Sequence, residues 1–96
     1  RDSAPSKYGA EAQVKNSLIS DGCEIEGTVE NSILFRGVRV GKGAVVRNSI
    51  VMQDSVISEG ASIDCVITDK NVVITSKRHL AGCESLPYII QKGKHL

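Results

Sequence analysis

The sequence predicts an all-β chain that winds round a narrow three-sided prism for about four coils and ends in a non-repetitive segment. Three observations predict it. A four-residue phrase recurs: Asn16-Ser17-Leu18-Ile19, Asn31-Ser32-Ile33-Leu34, Asn48-Ser49-Ile50-Val51 and, more loosely, Asp64-Cys65-Val66-Ile67, at spacings of 15, 17 and 16. After each phrase, apolar residues return on a six-residue step, from Ile19 to Ile25, from Leu34 to Val40 and Val46, and from Val51 to Ile57 and Ile63. The apolar residues are mostly Val and Ile, with Tyr8, Phe35 and Tyr88 as the aromatics and no Trp, which suits β-structure with tight repeated packing.

A six-residue step is one short strand and a corner. Three such steps return the chain to its starting face, displaced by one strand spacing of ~4.8 Å. The prism is narrow, so a small or slim residue is expected two positions before each landing point, and Cys23, Val38, Ala44, Ser55 and Ala61 stand there. Glycines Gly22, Gly37, Gly43 and Gly60 fall where the chain must turn.

Taken in order, residues 1-13, with Asp2-Ser3-Ala4-Pro5-Ser6, are expected to form a linker. The first residue is Arg1, as expected of a piece of a longer protein. Residues 14-74 form the coils. The stretch from Ile19 to Glu30 is too short for three full steps and implies a tightened corner; the last coil, from Asp64 to Ile74, is expected to slip register at Asp69-Lys70-Asn71. Residues 75-96, which include the apolar run Leu86-Pro87-Tyr88-Ile89-Ile90, are the expected cap or contact segment.

The formal net charge is +1 and provides no global field for nucleic acid or an anionic membrane. No apolar run approaches the roughly 18 residues of a membrane span. Cys23, Cys65 and Cys83 are odd in number and widely spaced, which favours reduced thiols in a cytoplasmic protein over a disulfide framework. His79 and Cys83 lie four apart, half of a metal site without a second pair, so no metal is assigned. The glycine-rich stretch Gly37 to Val46 fails as a phosphate-binding loop, because Gly37 and Gly41 are too close and no hydroxyl follows Lys42.

The repeats resemble the left-handed parallel β-helix of hexapeptide-repeat proteins. Within that class, the run from Asn16 to Ile63 and the upstream Pro5-Ser6-Lys7-Tyr8-Gly9 resemble the carboxy-terminal domain of bacterial glucose-1-phosphate adenylyltransferases (ADP-glucose pyrophosphorylases), and the tail from Lys77 to Leu96 is similar to their glycogen-biosynthesis D-type subunit, a companion chain. The resemblance implies left-handedness and a regulatory or assembly role beside an amino-terminal nucleotidyltransferase domain of the same chain. That domain would join ATP and glucose 1-phosphate into ADP-glucose and pyrophosphate, using magnesium. It also implies a catalytic partner subunit in a hetero-oligomer. These 96 residues contain no catalytic residues and no cofactor of their own on this account. Self-association of the piece through its flat faces is expected as well.

Because members of the family that the chain resembles are often regulated by sugar phosphates or inorganic phosphate, the resemblance implies that Arg36, Arg39, Lys42 and Arg47, the densest basic segment, are candidates for a phosphorylated effector. The competing expectation places Arg36 over Asp21, Arg39 over Glu24, Arg47 over Glu30 and Lys42 beside Glu59, as ladders of charge on solvated faces. Lys77-Arg78-His79 is a second basic group at the exit from the coils. The rival function is an acyltransferase of the hexapeptide class, which needs a coil-borne histidine as general base. No histidine lies between Val14 and Ile74.

Overall fold

The computed structural model describes residues 4-96. The first coil carries β1 (Lys7–Tyr8), β2 (Gln13–Lys15) and β3 (Leu18–Ile19). The second carries β4 (Glu24–Ile25), β5 (Thr28–Glu30) and β6 (Ile33–Leu34), and the third β7 (Arg39–Val40), β8 (Val45–Arg47) and β9 (Ile50–Val51). The fourth coil carries β10 (Val56–Ile57), β11 (Ser62–Asp64) and β12 (Val66–Thr68). Finally, β13 (Val73–Ile74), β14 (His79–Ala81) and β15 (Tyr88–Ile90) top the stack. Each coil gives one strand to each of three parallel sheets, here called first, second and third in chain order. From β1 to β13 the chain makes about four turns, which is the all-β parallel solenoid expected.

Alternation along each short strand sends one aliphatic inward and its neighbour outward. The inward residues stack in three columns: Ile25, Val40, Ile57 and Ile74 in the first sheet, Val29, Val46, Ile63 and Leu80 in the second, Leu34, Val51, Thr68 and Ile90 in the third. All but Leu80 are buried, and together with Cys23, Val38, Ala44, Ala61, Val66 and Val72 they make the core. Burying each aliphatic contributes about 1.5–3 kcal/mol, so the core is spread along the axis rather than gathered at one centre. Tyr8 and Val14 take the inward positions of coil one and are 54% and 39% exposed, because among the described residues no coil lies beneath them.

Regular pairing starts at Lys7, inside the stretch read from sequence as a linker. A second difference concerns the fourth phrase. Ile67 pairs with Ile50 and Thr68 with Val51, so the counterpart of Asn48-Ser49-Ile50-Val51 is Cys65-Val66-Ile67-Thr68, one residue later than the sequence comparison placed it. With that shift the spacing is the same as in the coil before, and the expected slip at Asp69-Lys70-Asn71 does not occur. Val56 pairs with Val73 and Ile57 with Ile74 in unbroken register. Asp64 is like Asn in side chain, but backbone conformation sets the register, since Asn16, Asn31, Asn48 and Cys65 all have φ between 50° and 55°.

That corner is the reason for the repeated phrase. Asparagine tolerates left-handed backbone better than other residues with a Cβ, and its amide here also bridges coils. Asn16 Nδ2 donates to Asn31 Oδ1 at 2.9 Å, Asn31 Nδ2 to Asn48 Oδ1 at 2.7 Å, and Asn48 Nδ2 to Asp64 Oδ1 at 2.9 Å. The serines run a parallel relay. Ser32 Oγ donates to the Glu30 carbonyl at 2.8 Å and accepts from the Ser49 amide at 3.0 Å; Ser49 Oγ donates to the Arg47 carbonyl and accepts from the Val66 amide. Buried hydroxyls thereby cost little, because each has partners.

The short second coil loses its two residues at another corner. Where other coils turn through Gly9–Ala12, Gly41–Ala44 and Ser58–Ala61, the second passes directly through Glu26 and Gly27. The chain is drawn in so far that a Cβ on Gly27 would lie 2.3 Å from the Ala44 carbonyl oxygen and 2.7 Å from that of Gly41.

The six-residue step runs on past the expected end of the coils, from Ile74 to Leu80, and is lost only after β14, where the chain goes on to close the stack. β14 and β15 continue the second and third sheets, and the tail then crosses the first, where Leu96 receives the Thr75 amide at 2.6 Å and gives its own to the Val73 carbonyl at 2.9 Å. Leu96 packs on the core.

Candidate functional site

The four basic residues proposed from sequence lie on one coil but on different parts of its circumference. Arg36 precedes the Gly37 corner, Arg39 faces outward from the first sheet, Lys42 sits in the Gly41–Ala44 turn, and Arg47 ends β8 in the second sheet. Arg39 pairs in register with Glu24, with Nε 4.0 Å from Oε1, and Arg47 pairs with Glu30, with Nε 3.0 Å from Oε1. Arg36 stacks over Asp21 and Lys42 under Glu59 through backbone bonds to Gly37 and Gly60, yet neither is within ion-pair distance of a carboxylate among the described residues. These pairs are exposed, and each contributes about 1 kcal/mol at most.

The third sheet presents a different surface. Its outward positions are Leu18, Ile33, Ile50, Ile67 and Ile89, in direct register from β3 to β15. Leu18 is 69% exposed, Ile33 37% and Ile89 65%. By contrast, the outward column of the first sheet runs Lys7, Glu24, Arg39, Val56, Val73, charged over its first three rungs. A five-rung aliphatic ladder on one outer face is a contiguous apolar patch, the kind of surface that marks a contact with another protein surface. Beside it the asparagine ladder forms a polar border, and Cys83, Glu84 and Pro87 wall one end, making a groove of about 700 Å³.

Sequence reasoning missed this face. The signal was present in the phrase itself: Leu18-Ile19, Ile33-Leu34 and Ile50-Val51 are adjacent aliphatics on strands, and period-two alternation cannot bury both.

The thiols divide by environment. Cys23 is buried, its Sγ donating to the Phe35 carbonyl at 3.2 Å, and burial pushes its thiol up from an ordinary value of 9.0 against the opposing backbone hydrogen bond at Val38. Cys65 borders the groove; desolvation, then the neighbouring Asp64 carboxylate, push it up as well. Among the described residues no group of three or more His, Cys, Asp and Glu is arranged to hold a metal ion. His79 lies in β14, exposed, with Nδ1 3.0 Å from Ser62 Oγ, away from the groove. No helix among them is long and apolar enough to cross a membrane.

A family model described as "GlmU-like, C-terminal hexapeptide" matches residues 4-84. The chain is 53% identical over 93 residues to the glycogen biosynthesis protein GlgD of Geobacillus stearothermophilus, and 46% identical over 93 residues to GlgD of Bacillus subtilis (strain 168). Each match covers 97% of this chain and 27% of the relative. It is also 40% identical over 84 residues to a glucose-1-phosphate adenylyltransferase of Acetivibrio thermocellus, covering 86% of this chain and 20% of that protein. The chain therefore spans only about a quarter of the length of the curated relatives it matches.

Proposed function

Because the chain belongs to the GlmU-like, C-terminal hexapeptide family, we propose that it is the regulatory and assembly domain of a glycogen-biosynthesis subunit of the glucose-1-phosphate adenylyltransferase kind. The observation that carries this reading is the aliphatic ladder of Leu18, Ile33, Ile50, Ile67 and Ile89, a face suited to docking. In this account a nucleotidyltransferase domain covers the ladder, and the rigid coil stack holds that domain in place for a catalytic partner subunit. ATP, glucose 1-phosphate and magnesium belong to that other domain; no step of the transfer runs through residues of this one. Acyl transfer is disfavoured: the relatives named above are glycogen-biosynthesis and adenylyltransferase chains, and the one histidine on a coil strand among the described residues, His79 in β14, is exposed beside Ser62 and does not line the groove. A phosphorylated effector would be read by Arg36 or, at the other corner, by Lys42, which are free of carboxylate partners among the described residues, in preference to Arg39 and Arg47.

The test uses the complete subunit with its partner. Ile50→Asp is expected to leave the coil stack folded, because Ile50 faces outward, and to reduce co-purification and ADP-glucose formation at least ~10-fold, the effect of about 1.4 kcal/mol lost from a contact. Unchanged association and activity would remove the docking face from the account. In the same assay Arg36→Glu should blunt the response to a sugar phosphate while Arg39→Glu leaves it intact; equal responses from both variants would exclude this site.

A further inference from the structure

We infer that Cys65 and Cys83 form an oxidisable pair, a modification site that clips the loop 82-87 onto the stack. The chain topology brings them together although they are far apart in sequence. In the lower coils the left-handed corner is crossed in two residues, but between β14 and β15 the chain inserts Gly82 to Pro87, closed on itself by reciprocal backbone bonds between Cys83 and Leu86 at 3.1 and 2.9 Å. The loop stands directly on Cys65. Gly82 donates to the Asp64 carbonyl at 2.9 Å, Tyr88 donates to the Cys65 carbonyl at 3.0 Å, and a Cβ on Gly82 would lie 2.6 Å from that same oxygen.

Gly82 is thus one rung above Cys65, and Cys83 is the next residue. A rung of ~4.8 Å and a Cα step of ~3.8 Å, meeting at a right angle, put the two cysteine Cα atoms about 6 Å apart. A disulfide spans roughly 4.4–6.8 Å. Both residues line the same groove. Their exposure differs in the useful sense: Cys83 is open to solvent and Cys65 is partly covered, while Cys23 is sealed in the core and takes no part.

The chemistry follows that order. A hydroperoxide oxidises the exposed Cys83 thiol to a sulfenic acid, its O–O bond breaking and water (or the alcohol) leaving. The Cys65 sulfur then attacks the Cys83 sulfur, the S–S bond forms, and the sulfenic oxygen departs as a second water with the Cys65 proton. The raised Cys65 thiol, with less of it ionised, slows the second step. The pair walls one end of the groove that holds the aliphatic ladder, so its oxidation requires that end to stay open to solvent when the ladder is covered.

The test treats the purified protein with hydrogen peroxide near stoichiometry and maps its peptides without reduction. The expected product is one intramolecular Cys65–Cys83 linkage in the monomer, two hydrogen atoms lighter and restored by dithiothreitol, with amide exchange of the 82-87 loop slowed at least ~10-fold. Cys83→Ser and Cys65→Ser, both changes outside the core, should each abolish the linked peptide while keeping the β-sheet circular-dichroism signal. Cys83 running on to sulfinic acid while Cys65 still reacts with a thiol reagent would overturn the inference. So would a disulfide between two molecules or one that includes Cys23.

Discussion

Cys23 shows how one small residue records the geometry of the interior. It stacks in a column with Ser6, Val38, Ser55 and Val72, positions where the prism is too narrow for a large side chain, and its thiol proton is held by the Phe35 carbonyl. Burial raises its ionisation above the ordinary 9.0, so the unfolded chain releases this proton first as pH rises. The linkage sign is then fixed: the contribution of Cys23 is complete below pH 9 and stability falls above it, until the folded thiol itself ionises. Thermal unfolding from pH ~8 to ~10 should show a steeper loss for the natural protein than for Cys23→Ala, which has no proton to release. Equal slopes would mean that the thiol is not desolvated as described. The inward placement of Cys23 was legible in the sequence from its distance to Ile25. The corner position of Cys65 was not legible, because the left-handed backbone there is ordinarily announced by Asn or Gly.

At the scale of strands and corners, the hexapeptide step was readable because it is a direct image of the chain path: six, six and five residues separate Leu34, Val40, Val46 and Val51, the inward residues of successive sheets. The shortened second coil was readable too, but its consequence was not, since spacing does not say which corner is cut. Gly27 answers that. Its substitution by Ala would drive a Cβ into the Ala44 and Gly41 carbonyls, both backbone and unable to yield, whereas Gly43 at φ 72° meets nothing within 4 Å. Gly43→Ala is expected to cost about 1–2 kcal/mol, the strain of one left-handed residue, and Gly27→Ala more than about 3 kcal/mol, by overpacking against backbone. Chemical denaturation with urea distinguishes them. Comparable losses would show that backbone conformation, not the tightened corner, dominates both sites. The outward aliphatics escaped the sequence reading for a related reason: a repeat search rewards every recurring apolar residue, and the face each one takes emerges only when alternation along two-residue strands is imposed.

For the whole molecule, the stack behaves as a rigid prism with faces of different character. The first sheet carries charge laddered between its first three coils, Lys7, Glu24 and Arg39, and the third carries five stacked aliphatics; the carboxy-terminal end is closed by Leu96. The charge ladders were foreseen from coil alignment, and two of them, Arg39 with Glu24 and Arg47 with Glu30, are ion pairs in the structure. A surface so partitioned is suited to hold one neighbour on the apolar face while leaving the charged face in water. The most direct measurement of that claim is thiol labelling in the complete subunit, read site by site by mass spectrometry, with Ile33→Cys and Arg39→Cys compared as reporters of the two faces. Ile33→Cys is expected to be protected at least ~10-fold relative to Arg39→Cys, since at least about 1.4 kcal/mol of contact would have to open before the reagent could enter. Equal and rapid labelling of both positions would contradict it, because the aliphatic ladder would then face solvent in the assembled protein.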